Sequence, residues 1–295
     1  MNIRAYILCI ALLLPITSQA VTAIFYQPQT ADQSISMEKW RTVFSSIHKK
    51  GIDTVVVQWT QYGDFLSTEQ EIEWLKEVLF QAKSAKLKII MGLNADPDVF
   101  SKTQQAPPRL EIYFQKSLEI NKRLMSKWMT SPLMDGVIGW YIPLEIDDRE
   151  WRDTERRSIL KRYLSRQTEQ ISLSSPKPIY VSSFFTGNMT PDSYSQLLKD
   201  LKSGNALKIW VQDGSGTNKL TASERSLYLN TISNCKTRVV DGVVFEIFTQ
   251  TKHDQVFAAE SLSPASLASK LKHRAPCQED SLFFELRYLI NLRLK

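Results

Sequence analysis

The chain has 295 residues, a net charge of +6 at pH 7 and an aromatic content of 10%. Its charges are interspersed, as in "RDTERRSILKR", and no run concentrates the positive charge that a phosphate backbone requires. We therefore predict no nucleic-acid binding.

The first 20 residues, "MNIRAYILCIALLLPITSQA", have the form of a secretory signal peptide. A basic start at Arg4 precedes an apolar stretch from Ala5 to Ile16, and small residues stand before Val21. The stretch is shorter than the roughly 20 residues that span a bilayer, although a retained membrane anchor is the alternative. We expect a mature chain of residues 21–295, periplasmic or secreted, with no stable membrane insertion after the signal is removed.

Eight short runs rich in β-branched and aromatic residues predict strands. In chain order they are "VTAIFYQP", "DTVVVQWT", "LKIIMGLN", "DGVIGWYI", "KPIYVSSFF", "ALKIWVQD", "RVVDGVVFEIF" and "SLFFELRYL". Segments with helical spacing lie between most of them. The first places Trp40, Phe44 and Ile47 on one face behind a capping Ser36, and similar patterns occupy residues 68–86, 109–129, 153–173 and 190–201.

Eight strands that alternate with helices predict an α/β fold, a (β/α)8 TIM barrel formed by residues 21–295 as a single domain. Only "INLRLK" follows the last strand, so the eighth helix should be short or absent. A doubly wound nucleotide-binding sheet is the alternative, but no G-x-G-x-x-G follows the first strand. We expect a monomer without a cofactor.

Two cysteines remain after the signal peptide, Cys235 and Cys277. In an exported chain such a pair predicts a disulfide, because the compartment outside the cytoplasm is oxidising. Two separate buried thiols are the alternative.

Nearly every predicted strand ends in a mixture of aromatic, amide and carboxylate side chains. A sugar ring stacks its apolar face on aromatic rings and hydrogen-bonds its hydroxyls to amides and carboxylates. Active sites of TIM barrels lie at this end of the strands, so the ends predict a site for a polysaccharide or oligosaccharide. The candidate substrate-binding residues are Gln58, Trp59, Asn94, Trp140, Tyr141, Trp210 and Gln212; for any single aromatic residue, core packing is the alternative.

Hydrolysis of a glycosidic bond takes two carboxyl groups, one as acid and one as nucleophile or base. Glu145, after the fourth strand, and Glu246, in the seventh, should face each other across the barrel mouth. This layout resembles that of the large clan of retaining (β/α)8 glycosidases, which implies that Glu145 is the acid/base and Glu246 the nucleophile. Leu144 stands where that clan has an asparagine.

Each carboxylate also has a structural interpretation. Glu246 points either into the barrel or toward the helices, depending on the register, and could be a buried residue paired with Arg287 or a lysine. Asp213 is the third catalytic candidate, or else part of an Asp-Gly turn. Glu285 is the fourth, and Arg287 could neutralise it. Asp147 or Asp153 could cap the following helix.

Other chemistries have weaker support. His48, His253 and His273 have no metal-binding spacing, and "LEIDD" lacks the Asp-x-Asp-x-Asp-Gly pattern of a calcium loop, so we predict no metal site. Ser182 and Ser183 lack the G-x-S-x-G motif of serine hydrolases.

Several stretches together resemble the exported bacterial proteins of domain-of-unknown-function family 4434. They are "QWTQYGD", "GWYIPLEIDD" followed by Trp151, "KPIYVSSFF", "VQDGSG" and "FFELRYL", and the resemblance runs from about Thr22 to the C-terminus. It implies a glycosidase-like barrel associated with exopolysaccharides. The matching positions are Gln58, Trp59, Trp140, Tyr141, Glu145, Gln212 and Asp213.

We therefore predict a glycoside hydrolase that acts on a bacterial polysaccharide by a two-carboxylate mechanism. A non-catalytic carbohydrate-binding barrel and a scaffold of an envelope polysaccharide system are the alternatives.

Overall fold

Eight parallel strands form a closed barrel in the computed structural model, which describes residues 20–252, 258–290 and 292. Each strand pairs with the next in chain order, and the last pairs with the first. The predicted (β/α)8 fold is confirmed, and the predicted signal peptide lies outside the described residues apart from Ala20. The strands are β1 Thr22–Tyr26, β2 Thr54–Val57, β3 Lys88–Gly92, β4 Val137–Ile146, β5 Ile179–Ser183, β6 Leu207–Gln212, β7 Gly242–Glu246 and β8 Asp280–Phe284.

Alternation along the strands divides their side chains between two cores. Successive residues of a strand point to opposite faces, so one set fills the barrel and the other packs against the helices. The interior set comprises Ala23, Phe25, Val56, Ile90, Tyr141, Tyr180, Trp210, Val244 and Leu282. Its largest member, Trp210, stacks on Tyr180 with ring centroids 4.2 Å apart and on Tyr141 at 5.9 Å. The interior is therefore a packed aromatic core beneath the mouth of the barrel.

The helices surround the barrel and begin at recognisable caps. The Ser36 hydroxyl accepts a hydrogen bond from the Lys39 amide at the start of the first helix, and Asp153 accepts one from the Arg156 amide at the start of the fifth. All five predicted helices are confirmed. The helices are α1 Met37–Lys49, α2 Glu69–Ser84, α3 Val99–Thr103, α4 Pro107–Met129, α5 Thr154–Ser174, α6 Pro191–Lys202, α7 Ala222–Ile232, α8 Pro264–Lys270 and α9 Leu286–Leu289.

The last third of the chain differs most from the sequence patterns. The α7 helix buries only Tyr228 and Ile232, and α8 buries no residue, so neither has the apolar stripe that predicts a helix. The eighth run, residues 281–289, divides into a strand that ends at Phe284 and the four-residue helix α9. The eighth helix is thus short, as predicted.

A hairpin follows β7 at the mouth of the barrel. Its strands, Phe248–Lys252 and Ala258–Ser261, pair in antiparallel fashion. A second pair, Gln61–Tyr62 with Asn94–Ala95, extends the ends of β2 and β3. Both pairs continue from the carboxyl ends of barrel strands, so they lie at the end where polar residues accumulate.

The predicted disulfide between Cys235 and Cys277 is confirmed. It links the segment after α7 to the turn before β8 across 42 residues of sequence. Among the described residues, no helix has both the length and the apolar character of a membrane span.

Replacing both cysteines by serine should lower the free energy of unfolding by up to about 4 kcal/mol, because the bridge restricts the unfolded chain. Urea unfolding of the variant and of oxidised wild type measures the difference, and reduced wild type serves as the control, which should match the variant. Equal midpoints for oxidised wild type and the variant would contradict this expectation.

Candidate active site

A cavity of about 750 Å³ opens at the carboxyl ends of the barrel strands. Its walls come from the ends of β1, β4, β5, β6, β7 and β8, from the hairpin after β7, and from α3. The lining residues are Gln27, Gln29, Phe100, Glu145, Phe184, Phe185, Thr186, Gln212, Gly214, Thr217, Lys219, Glu246, Phe248, Gln250, Ala258, Ala259, Phe284, Glu285, Arg287 and Tyr288. Glu145 and Glu246 therefore share one cavity, although they come from strands separated by two others in the barrel.

Glu145 reaches the cavity through an irregularity in β4. The pairing of β4 with β5 jumps from Ile142 opposite Val181 to Glu145 opposite Ser182, which leaves Pro143 and Leu144 outside this register. Such irregularities re-aim side chains near active sites, and proline is tolerated there because it has no amide hydrogen to donate. Leu144 is buried in the core between the barrel and the helices. The next residue, Glu145, faces the cavity instead.

The surroundings of Glu145 favour its protonated form. Burial raises the pKa of its carboxyl group, and the one opposing influence is a hydrogen bond from Gln212 Nε2 to Glu145 Oε1 at 3.4 Å. The long distance indicates a weak hydrogen bond. A carboxyl group held in this way is suited to donate a proton.

Glu246 points into the barrel, in line with Val244 of the interior core. The Gly216 amide donates a hydrogen bond to Glu246 Oε2 at 2.5 Å. Burial raises the pKa of Glu246 to about 7, with a further increase from the charge of Asp213, while the Gly216 hydrogen bond and Lys270 oppose the shift. Glu246 is thus a buried carboxyl group that can ionise near neutral pH.

Asp213 supports Glu246 from behind rather than lining the cavity. Its Oδ2 pairs with Lys270 Nζ at 2.6 Å, and its Oδ1 accepts hydrogen bonds from the amides of Ser215, at 3.2 Å, and Glu246, at 3.1 Å. These contacts hold the loop that carries the Gly216 amide. Asp213 therefore combines the turn expected from the Asp-Gly sequence with a contact to the Glu246 backbone.

Glu285 is a third carboxyl group in the cavity wall, and its side chain is buried. Burial raises the pKa of Glu285 to about 7, although Arg287 opposes the shift. Arg287 Nη1 donates to Glu285 Oε1 at 3.1 Å and Arg287 Nη2 donates to Asp32 Oδ2 at 3.0 Å. The sequence-based expectation that Arg287 neutralises Glu285 matches this geometry.

The predicted amide residues divide between the cavity and its surroundings. Gln212 lines the cavity beside Glu145. Gln58 is buried and accepts a hydrogen bond from Gln27 Nε2 at 2.9 Å, so it supports a cavity residue. Asn94 lies in a separate hollow beside α4, together with Asp96.

The predicted aromatic residues do not line the cavity. Trp140 is fully buried in the core between barrel and helices, and Tyr141 and Trp210 fill the barrel interior. Trp59 is 9% exposed, donates from Nε1 to the Pro28 carbonyl and stacks on Tyr62 with centroids 4.7 Å apart. In each case the ring packs against protein, which is the alternative that the sequence left open.

Phenylalanines that follow the strands supply the aromatic wall instead. Phe184 follows β5, Phe284 ends β8, Phe248 begins the hairpin, and Phe100 reaches over from α3. The available signal in the sequence was the doublet "FF", which ends the fifth run and lies within the eighth. No sequence pattern predicted the position of Phe100, because it lies in α3, a five-residue helix in a connecting segment.

In the part of the chain that the structure describes, no three His, Cys, Asp or Glu side chains are grouped as metal ligands would be.

Comparison with known proteins identifies the family. Residues 21–291 match the model of the domain of unknown function DUF4434, and the chain belongs to that family. It is similar to "Uncharacterized protein YbcH" of Escherichia coli strain K12, with 39% identity over 287 residues, 96% of this chain and 95% of the relative.

The fold is also similar to that of solved glycoside hydrolases. A Bacteroides thetaiotaomicron VPI-5482 protein with a provisional assignment as an alpha-L-fucosidase superposes with a TM-score of 0.63 at 16% identity, covering 97% of this chain and 91% of that one. An endo-1,4-beta-D-mannanase from Thermotoga petrophila RKU-1 gives a TM-score of 0.58 at 13% identity, covering 90% and 87%. At these identities the likeness concerns the fold.

Gly216→Ala should destabilise the loop whose amide binds Glu246. A Cβ at this position would lie 2.7 Å from Phe248 Cε2 and 2.8 Å from the Phe248 carbonyl oxygen. The backbone must shift, so we expect a loss of about 1–3 kcal/mol in the free energy of unfolding. Gly136→Ala is the matched control, because its nearest atoms belong to the flexible Lys83 side chain. Chemical unfolding of both variants tests this, and equal stabilities would contradict it.

Asp213→Asn and Lys270→Met should move the pKa of Glu246 in opposite directions. The first removes a neighbouring negative charge and leaves Lys270, so the pKa falls below about 7; the second leaves Asp213 unpaired, so the pKa rises. Carboxyl-carbon NMR titration of labelled glutamate measures both shifts. Glu285 is the internal control, because its charged neighbours are Arg287 and Asp32. If the pKa of Glu246 moved in the same direction in both variants, the Asp213–Lys270 pair would not act on Glu246 through its charges.

Proposed function

We propose that this member of the DUF4434 family is an exported glycoside hydrolase that acts on a bacterial polysaccharide. The observation that carries the proposal is the position of Glu145 and Glu246, which come from the ends of β4 and β7 and line one cavity. Glycosidic bond cleavage needs two carboxyl groups on either side of the bond. The glycosidase-like fold supports the same assignment.

The surroundings of the two carboxyl groups favour different roles. Glu145 has one weak side-chain donor, so it is assigned as the general acid/base that protonates the leaving oxygen. Glu246 receives a backbone hydrogen bond that stabilises its anion, so it is assigned as the carboxylate that attacks the anomeric carbon or activates water. Separate environments are what allow two carboxyl groups to hold different protonation states at one pH.

Asp213 is assigned a positioning role. Its carboxylate is engaged by Lys270 and by the Glu246 amide, and it does not line the cavity. This arrangement supports Glu246 as the second carboxylate and leaves Asp213 to orient the loop that binds it.

Export is part of the proposal and rests on two observations. The first 20 residues have the form of a signal peptide. The Cys235–Cys277 disulfide is of the kind that persists in oxidising compartments.

Glu145→Gln should reduce kcat about 10²–10⁴-fold, because an amide cannot donate the proton that the leaving group needs. A screen of purified protein against bacterial exopolysaccharides, followed by initial rates on the best substrate, provides the measurement. Glu279→Gln is the matched control, because burial also raises the pKa of Glu279 to about 7 but the residue precedes β8, at the opposite end of the barrel. Equal rates for wild type and Glu145→Gln would eliminate Glu145 as the proton donor.

The pH dependence should follow the same assignment. Glu246 must be ionised for the reaction, so kcat/KM should fall as the pH drops through about 7, the pKa of that group. The fall on the alkaline side should follow the raised pKa of Glu145 and be absent from Glu145→Gln. A rate that stays constant from pH 5 to pH 8, roughly the range over which such a group titrates, would contradict the role of Glu246.

A further inference from the structure

We propose that the sugar rings bound in this cavity are uncharged, so that the substrate is a neutral polysaccharide rather than one built from uronic acids. The inference rests on the function proposed above and concerns the same site. It follows from the balance of charged, amide and aromatic groups around the cavity.

The charged groups of the wall are mostly acidic. Glu145, Glu246 and Glu285 line the cavity, and among the described lining residues only Lys219 and Arg287 are cationic. Arg287 already pairs with Glu285 at 3.1 Å and with Asp32 at 3.0 Å. Lys219 is exposed on the loop after β6, where solvent weakens its attraction for an anion. Among the lining residues that the structure describes, no buried cation is therefore available to a sugar carboxylate.

An anionic sugar would also oppose the proposed reaction. One of the two catalytic carboxyl groups must be ionised while the substrate is bound. A uronate beside it would place a second negative charge in a poorly solvated space and raise the pKa of that group further. A neutral ring adds no negative charge beside Glu246.

The remaining wall matches the surface of a neutral sugar. Phe100 is 47% exposed, and Phe184, Phe284 and Tyr288 are each partly exposed to the cavity. Such rings stack on the apolar face of a pyranose. Amide side chains both donate and accept hydrogen bonds, as hydroxyl groups require, and four of them line the cavity: Gln27, Gln29, Gln212 and Gln250.

Matched pairs of ligands test the inference. Oligosaccharides of polygalacturonate, of polymannuronate and of a glucuronate-containing exopolysaccharide are compared with their carboxyl-reduced forms, which keep the linkage and lose the charge. Neutral glucan and mannan oligosaccharides complete the set. Calorimetric titration with Glu145→Gln protein, in which cleavage should be slow, measures the affinity. We expect the tightest ligand to be neutral and to bind at least tenfold more tightly than its acidic counterpart.

A second variant separates stacking from loss of folding. Phe184→Ala should weaken binding of the neutral ligand about three- to tenfold, whereas Phe80→Ala, which removes a phenylalanine that is 58% exposed on α2, should not. Circular dichroism of both variants verifies that they fold.

The outcomes distinguish this inference from the proposed function. Equal or tighter binding of the acidic form of any pair would overturn the inference and leave the hydrolase proposal intact. Binding of neutral ligands with no cleavage by the wild type would support the inference and refute the hydrolase. Absence of binding across the whole set would overturn both.

Discussion

The aromatic packing inside the barrel is the constraint on which the position of the site depends. Phe25, Tyr141, Tyr180 and Trp210 fill the interior and contact one another through stacked and edge-to-face rings. Because side chains alternate along a strand, the next inward residue after each ring lies one layer higher, at the mouth. Gln27 follows Phe25 in this way and Gln212 follows Trp210, and both line the cavity. The aromatic core therefore forms the floor of the site and excludes solvent from below.

The loop after β6 connects this layer to the rest of the mouth. The Asp213 carboxylate accepts a hydrogen bond from the Glu246 amide, and the Gly216 amide donates one to the Glu246 carboxylate. The Gly216 carbonyl in turn accepts a hydrogen bond of 2.8 Å from the Gln250 amide of the hairpin. A buried ion pair such as Asp213–Lys270 contributes little net stability, since desolvation offsets much of the attraction. Its consequence here is geometric, because it holds the turn in which a glycine amide can approach the carboxylate.

The sequence predicted the fold well because the evidence for it is local. Strand composition and helical spacing identified all eight strands and the five helices with apolar stripes, whereas α7 and α8 bury too few residues to be recognised.

The site was harder to predict, because its geometry depends on the alternation of side chains along the strands and on the irregularity in β4. A one-residue difference separates Trp140, which packs outside the barrel, from Tyr141, which packs inside. The irregularity that directs Glu145 into the cavity depends on pairing with β5, which no local pattern encodes. Phe100 comes from a connection, so only the folded chain shows its position.

Three carboxyl groups in one cavity raise the question of which pair could perform chemistry. Glu285 is as buried as Glu246, and the pKa of each is raised to about 7. Their partners differ, however. Arg287 binds Glu285 and Asp32 together and also contacts the Gln27 carbonyl, so it joins the end of β8 to the segment after β1. Removing the charge of Glu285 would leave Arg287 with one carboxylate and loosen this junction. Glu246 has no arginine partner among the described residues, and a backbone amide supports it while leaving its charge available to a substrate. The difference in counterion therefore favours Glu246, rather than Glu285, as the carboxylate that acts with Glu145.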